Sequence, residues 1–252
     1  MSPIAALAVA AAGLVAGAMN VIVGSGSLVT FPTLLAVGFT PIVANVSNTV
    51  GLVPGMLSGV TAYRRELHDQ KGRAIRFGCA SMLGGLSGGV LLLALPGTVF
   101  QKAVPVLIVV ACLLMAVQPR VGQWLAKRGE RPRHGGLPLL ASVFATGVYG
   151  GYFGAAQGVI LISLLAIFID DDLQRLNGLK IVLTMLVNGT AALLFIVASH
   201  VSWEAAGLIA AGSIVGGQIG GAIGRRLSAS TLRGIVVIGG LAVASLLFVK
   251  YW

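Results

Sequence analysis

The chain has 252 residues, of which 57% are hydrophobic and 10% charged, and its mean hydropathy is +0.97. Soluble domains carry about a quarter charged residues and just under half apolar ones, so a soluble enzyme, a disordered tail and a secreted disulfide scaffold are all excluded. A net charge of +10 would suggest nucleic acid in a soluble protein. Here the basic residues fall in short loops between apolar stretches, the pattern that orients membrane proteins, and no nucleic-acid partner is expected.

In chain order, the opening run MSPIAALAVAAAGLVAGAMNVIV has no basic residue ahead of it. A cleavable signal peptide normally has one, so a retained first membrane helix is expected. About 20 apolar residues cross a bilayer, and residues 1–63 have no charged side chain at all. The later charge-free windows are 77–101, 103–119, 135–169, 181–203, 205–224 and 234–249. Two windows are interrupted, by GSGSLVTFPTLLAVGFTP from Gly24 to Pro41 and by GGYFGAAQGVILISLLAIF from Gly150 to Phe168. Glycine and proline release backbone groups that lipid cannot satisfy, which predicts broken or re-entrant helices facing protein or a cavity. Asp170 to Asp172 are expected to begin the following helix as favourable N-terminal charges.

The chain also repeats itself. Ser81–Gly89 (SMLGGLSGG) matches Ser213–Gly221 (SIVGGQIGG) at an offset of 132, which also pairs Asn45 with Asn177 and Val50 with Val182. An offset of 130 pairs Gly17 with Gly147, Gly24 with Gly154, and Leu34-Leu35-Ala36 with Leu164-Leu165-Ala166. The expected organisation is therefore a first membrane repeat over 1–118, a basic linker over 119–136 and a second repeat over 137–252. Loops 64–76, 119–134 and 225–233 hold thirteen basic residues and are placed in the cytoplasm. Repeat partners 43–63 and 177–198 then run in opposite directions. The predicted fold is an all-α integral membrane protein: an inverted repeat of two halves, broken helices near the midplane, and about eight transmembrane segments. Tyr251-Trp252 read as an anchor at the outer interface.

Inverted repeats with broken helices suit a transporter whose site lies between the halves. No acid occurs in a predicted span, and His68, His134 and His200 sit in or beside loops. A cation-coupled carrier or a membrane hydrolase needs such groups inside, so a cation cargo and an enzyme are both disfavoured. Cys79 and Cys112 lie in separate segments without metal-ligand spacing, and neither metal nor cofactor is expected. An anion needs backbone N–H groups, hydroxyls and amides. Gly24-Ser25-Gly26-Ser27 offers these ahead of a short apolar helix, and Gly154-Ala155-Ala156-Gln157-Gly158 repeats the layout, although such glycines also permit tight packing. Asn45, Ser47, Asn48 and Thr49 cluster at the next helix start, matched by Asn177 and Lys180. Lys180 has two readings: it snorkels to the surface, or it contacts the anion. The GGxxGG motifs read as packing faces, within the chain or between copies, so a homo-oligomer stays open. Asn20, Asn188 and Gln218 either bond between helices or line a pathway.

From Gly24-Ser25-Gly26-Ser27 through Pro32-Thr33-Leu34-Leu35, Gly38-Phe39-Thr40-Pro41 and Ala44-Asn45, the chain resembles the TauE/SafE family of sulfite and organosulfonate exporters. The resemblance extends through both halves. It departs where Ser25 and Ser27 interrupt the glycine cluster, where the second copy reads Ala155-Ala156-Gln157, and where Ile162 replaces Pro32. It implies a secondary carrier of small sulfur anions, such as sulfite, thiosulfate or sulfoacetate, in the bacterial cytoplasmic membrane. A carrier of carboxylates or other small anions, or a non-transporting membrane anchor subunit, are the alternatives.

Overall fold

The computed structural model describes residues 1–126, 136–223 and 229–251, and among them it contains ten α-helices and no strand. In chain order these are α1 (Pro3–Ile22), α2 (Ser27–Ala36), α3 (Pro41–Ala62), α4 (Lys71–Ala94), α5 (Gly97–Ala126), α6 (Leu137–Tyr152), α7 (Gln157–Phe168), α8 (Leu173–Ala198), α9 (Trp203–Ile223) and α10 (Ala229–Tyr251). Residues 127–135 of the basic linker, residues 224–228 and Trp252 lie outside the described residues.

Local chemistry sets the helix starts. Ser2 caps α1 by accepting from the Ala5 N–H, and Pro41 opens α3 behind an extended Thr40. Asp172 caps α8 by accepting from the N–H groups of Gln174 and Arg175, as the acidic run predicts. Among the described residues five helices are long and apolar enough to cross a membrane: Pro3–Ile22, Lys71–Ala94, Gly97–Val117, Leu173–Ala198 and Trp203–Ala222. By contrast, α2 and α7 have 10 and 12 residues. At about 1.5 Å per residue they reach roughly halfway across a hydrocarbon core of about 30 Å.

Three boundaries differ from the charge-free windows. The turn between α4 and α5 falls at Leu95-Pro96, so Lys102 lies within α5. The extended Leu95 is what a following proline imposes. Helix α5 also continues to Ala126, past the expected boundary at 118, and α8 starts at Leu173, which puts Lys180 inside it. A charged side chain sets a price on depth, whereas backbone hydrogen bonds decide where a helix ends.

The exterior is apolar and the interior holds polar groups. Ile4, Val197 and Val249 are more than four-fifths exposed, while Asn45, Asn48 and Lys180 are at most 1% exposed. Helix α1 packs on α9 and α4 on α6; α3 packs on α9 and α4 on α8; α5 meets α10 and α3 meets α8. Exchanging α1–α5 for α6–α10 maps each of these pairings onto another or onto itself. The GGxxGG glycines make the closest approaches. A Cβ on Gly88 would stand 2.0 Å from the Val148 carbonyl oxygen on α6, and one on Gly216 1.9 Å from that of Leu14 on α1. Both motifs are therefore packing faces within the chain.

Candidate functional site

The two helix breaks have one geometry. Helix α1 ends where the Val23 and Gly24 N–H groups both donate to the Met19 carbonyl, and α6 ends where Phe153 and Gly154 both donate to Tyr149. Gly24 and Gly154 have φ of 88° and 79°, a left-handed conformation that glycine adopts without strain. The chain then turns directly into α2 or α7. The starts of these short helices touch: the Gly158 N–H donates to the Gly24 carbonyl at 3.0 Å, and a Cβ on Gly24 would lie 2.6 Å from the Gly158 Cα.

Each break exposes carbonyls at the end of the preceding helix, and a polar side chain from the other half covers them. Asn45 on α3 donates to the Tyr152 carbonyl at 3.1 Å, and Asn177 on α8 donates to that of Val21 at 3.2 Å. The Lys180 Nζ donates to the carbonyls of Asn20 and Val21, both at 3.2 Å. Lys180 therefore does not snorkel. It points inward to the negative end of α1, where a cation is favoured.

Further contacts steady the first break. Asn48 donates to Ser27 and accepts from Thr30 through a short hydrogen bond, tying α2 to α3. Asn20 accepts from the Gly26 N–H at 2.7 Å. Across the contact, Asn188 donates to Gln157 at 3.4 Å and to the Thr184 carbonyl at 2.9 Å.

After these contacts, four buried polar atoms around the breaks have no partner: Asn20 Nδ2, Ser25 Oγ, Asn45 Oδ1 and Gln157 Nε2. The amide orientations are fixed by what the other end of each group touches. The Asn20 oxygen must face an N–H and the Asn45 nitrogen a carbonyl, while the Gln157 oxygen faces the Asn188 amide nitrogen, itself bonded to a carbonyl. A buried polar atom without a partner costs about 1–3 kcal/mol, so four around one pair of helix breaks form a set that a polar ligand would complete. Two are amide N–H donors, one is a hydroxyl and one is an acceptor.

The residues expected from the sequence thus divide. Gly24, Ser25, Gly26, Ser27 and Asn48 gather at the first break, and Gly154, Gln157 and Gly158 at the second. Asn45, Asn177 and Lys180 stand behind them on helix ends. Ser47 instead accepts from the Ser202 N–H at the start of α9, and Thr49 donates to the Asn45 carbonyl within its own helix. Thr30 went unanticipated, because nothing in its sequence neighbourhood sets it apart from the apolar positions of α2. Asn20, a lone amide in the last turn of an apolar helix, was the visible clue to its own role. Gln218 bonds Ser58 and Thr61, holding α9 to α3. Among the described residues no group of three or more His, Cys, Asp or Glu side chains is placed to hold a metal ion.

An apolar exterior, spanning helices and a polar interior built on two facing helix breaks define a polytopic helical membrane protein. A family model described as "Sulfite exporter TauE/SafE" matches residues 9–247, and the chain belongs to the TauE/SafE family. It is 28% identical to a "Probable membrane transporter protein" of Haemophilus influenzae over 90% of this chain and 88% of that one. It is 25% identical to "Probable membrane transporter protein YfcA" of Escherichia coli, over 89% of this chain and 82% of the relative. A third relative, "Probable membrane transporter protein ORF9" of a Sinorhizobium species, is 24% identical over 92% of this chain and 88% of its own. These names describe transporters rather than enzymes. No solved structure matches the chain.

Proposed function

We propose that the protein is a secondary transporter of small sulfur-containing anions, such as sulfite, thiosulfate or sulfoacetate, exporting them by alternating access. The observation that carries this reading is the set of unpartnered polar atoms around the Gly24–Gly158 contact. Two helix starts supply partial positive charge, and the amide and hydroxyl groups supply neutral donors. Lys180 stands one step behind, bonded to the Asn20 and Val21 carbonyls rather than open to the ligand. Such a site holds an oxyanion without gripping it too tightly for release.

An inverted repeat is supported by the exchange of helix pairings between α1–α5 and α6–α10 and by the matched breaks at Gly24 and Gly154. Each half covers the other half's helix end, so relative movement of the halves would rearrange the site. The excess of basic residues in the loops supports a cytoplasmic position for that face, in a bacterial inner membrane.

Flux through purified protein in liposomes tests the reading, with sulfite, thiosulfate and sulfoacetate compared against acetate and sulfate, with and without a pH gradient. Saturable flux of a sulfur anion is expected. Ser25→Ala removes a hydroxyl that has no internal partner, so flux falls about tenfold, the scale of one hydrogen bond to an ion, while the unfolding temperature holds. Folded protein that moves none of the sulfur anions overturns the substrate assignment.

A further inference from the structure

A second cluster of charges lies away from the helix breaks. A cavity of about 380 Å³ opens between the start of α4 and the turn from α7 into α8, lined by Asp69, Arg73, Arg76, Phe77, Asp171 and Arg175. Asp171 accepts from Arg73 through a short contact and from Arg175 Nε at 2.9 Å. One carboxylate thus sits between two guanidinium groups contributed by opposite halves of the chain. The third arginine, Arg76, has its guanidinium carbon 5.7 Å from the centre of the Phe77 ring, and no ion pair joins it to a carboxylate among the described residues. Asp69 is engaged by His68 at 2.7 Å. The positive end of α4 adds to the excess, since its first turn has Lys71 and Arg73 and no acid.

We propose that this cavity is a second oxyanion-binding site, in which an anion with two or more oxygens takes the place of the Asp171 carboxylate between Arg73 and Arg175 and is also held by Arg76. Planar guanidinium groups bind carboxylates, sulfonates and phosphates through the same paired N–H geometry, so the site that seats Asp171 accepts an oxyanion of like shape. Exchange keeps every guanidinium paired throughout. The displaced carboxylate faces the open side of the cavity, where water solvates it. As a loading site for cargo at the face of the basic loops the cavity rests on the transport reading; as a binding site it stands alone. The oxyanion is either a soluble ion or the phosphate of a lipid headgroup.

Arginine modification reads this site directly. Purified protein in detergent and N-ethylmorpholinium chloride buffer is treated with phenylglyoxal, and labelling is mapped by peptide mass, with exposed Arg64 and Arg65 as internal references. Sulfate and methanesulfonate serve as soluble probes, because sulfite adds to the reagent's aldehyde; short-chain phosphatidylglycerol is the lipid probe. The probes are expected to slow labelling of Arg76 and Arg175 but not of Arg64 and Arg65. Protection by the salts identifies a soluble ligand, and protection by the lipid alone identifies a headgroup. Asp171→Asn removes the competitor and lowers the concentration for half-protection about tenfold, whereas Arg76→Gln, which breaks no ion pair, raises it about as much. Equal labelling with and without every probe overturns the proposal, as does an Asp171→Asn variant that binds no better than the parent. Protection without flux in liposomes leaves the site standing and removes its role in loading.

Discussion

At the residue scale, the same side-chain chemistry serves two ends. Asn45 is the donor that covers the Tyr152 carbonyl, so its loss leaves that helix end bare, while the Val21 carbonyl is shared by Asn177 and Lys180 and Ser25 has no internal partner to lose. Asn45→Leu is therefore expected to lower stability by about 1–3 kcal/mol, read from unfolding in detergent, and Asn177→Leu by less, while Ser25→Ala changes flux alone. Gly24 and Gly38 both have positive φ, at 88° and 102°. A Cβ on Gly24 strikes Gly158, while one on Gly38 meets nothing within 4 Å. Gly38→Ala should cost only the backbone strain, about 1–2 kcal/mol, and Gly24→Ala enough more to prevent accumulation of folded protein. Both outcomes are read by size-exclusion profile and thermal unfolding. Repeated motifs marked the glycines, but no pattern in the chain showed that Gly24 meets Gly158, which lies 134 positions away.

At the scale of elements, helix ends carry the testable charges. Burial pushes the Asp171 carboxyl up, but the Arg73 hydrogen bond, the Asp172 N–H and the charges of Arg175 and Arg73 outweigh it and hold it below its ordinary value. A lowered carboxyl pKa contributes stability that is complete above the unfolded value and disappears as pH falls through the folded one. Stability against pH should thus decline below the usual carboxylate range, and Asp171→Asn should flatten that part of the curve. Asp172→Ala removes the cap of α8 and should cost about 1 kcal/mol at neutral pH. The cap was legible from the acidic run before an apolar stretch. The Asp171 bridge was not, because its partner Arg73 is 98 positions away on another helix.

At the scale of the whole molecule, close contact between helices decides whether the bundle forms. Gly88→Leu and Gly216→Leu each drive a side chain into a carbonyl on a neighbouring helix and should abolish folded protein to a similar degree. Gly189→Leu and Gly207→Leu, where nothing lies within 4 Å, should be tolerated. The proposed arrangement in the membrane puts the α3–α4 turn and the start of α9 on opposite faces. With Cys79 and Cys112 replaced, Glu204→Cys should react with an impermeant thiol reagent in intact cells and His68→Cys only after the membrane is permeabilised, and reaction of both in intact cells overturns the arrangement.

Composition, the charge-free windows and the repeated glycine motifs were enough to determine the all-helical class and the two helix breaks, and the motifs from Gly24 to Asn45 carried the resemblance to the family. These are properties of short stretches, since hydropathy and backbone freedom are set by a residue and its near neighbours. The tertiary structure decided which groups at the breaks are satisfied and which are not. It turned Lys180 inward to the end of α1, directed Ser47 to the α8–α9 turn, and left Ser25 and Gln157 with unpartnered atoms. A hydrogen bond depends on distance and angle to one particular group. Where that group comes from the other half of the chain, only the packing of the helices brings it within reach.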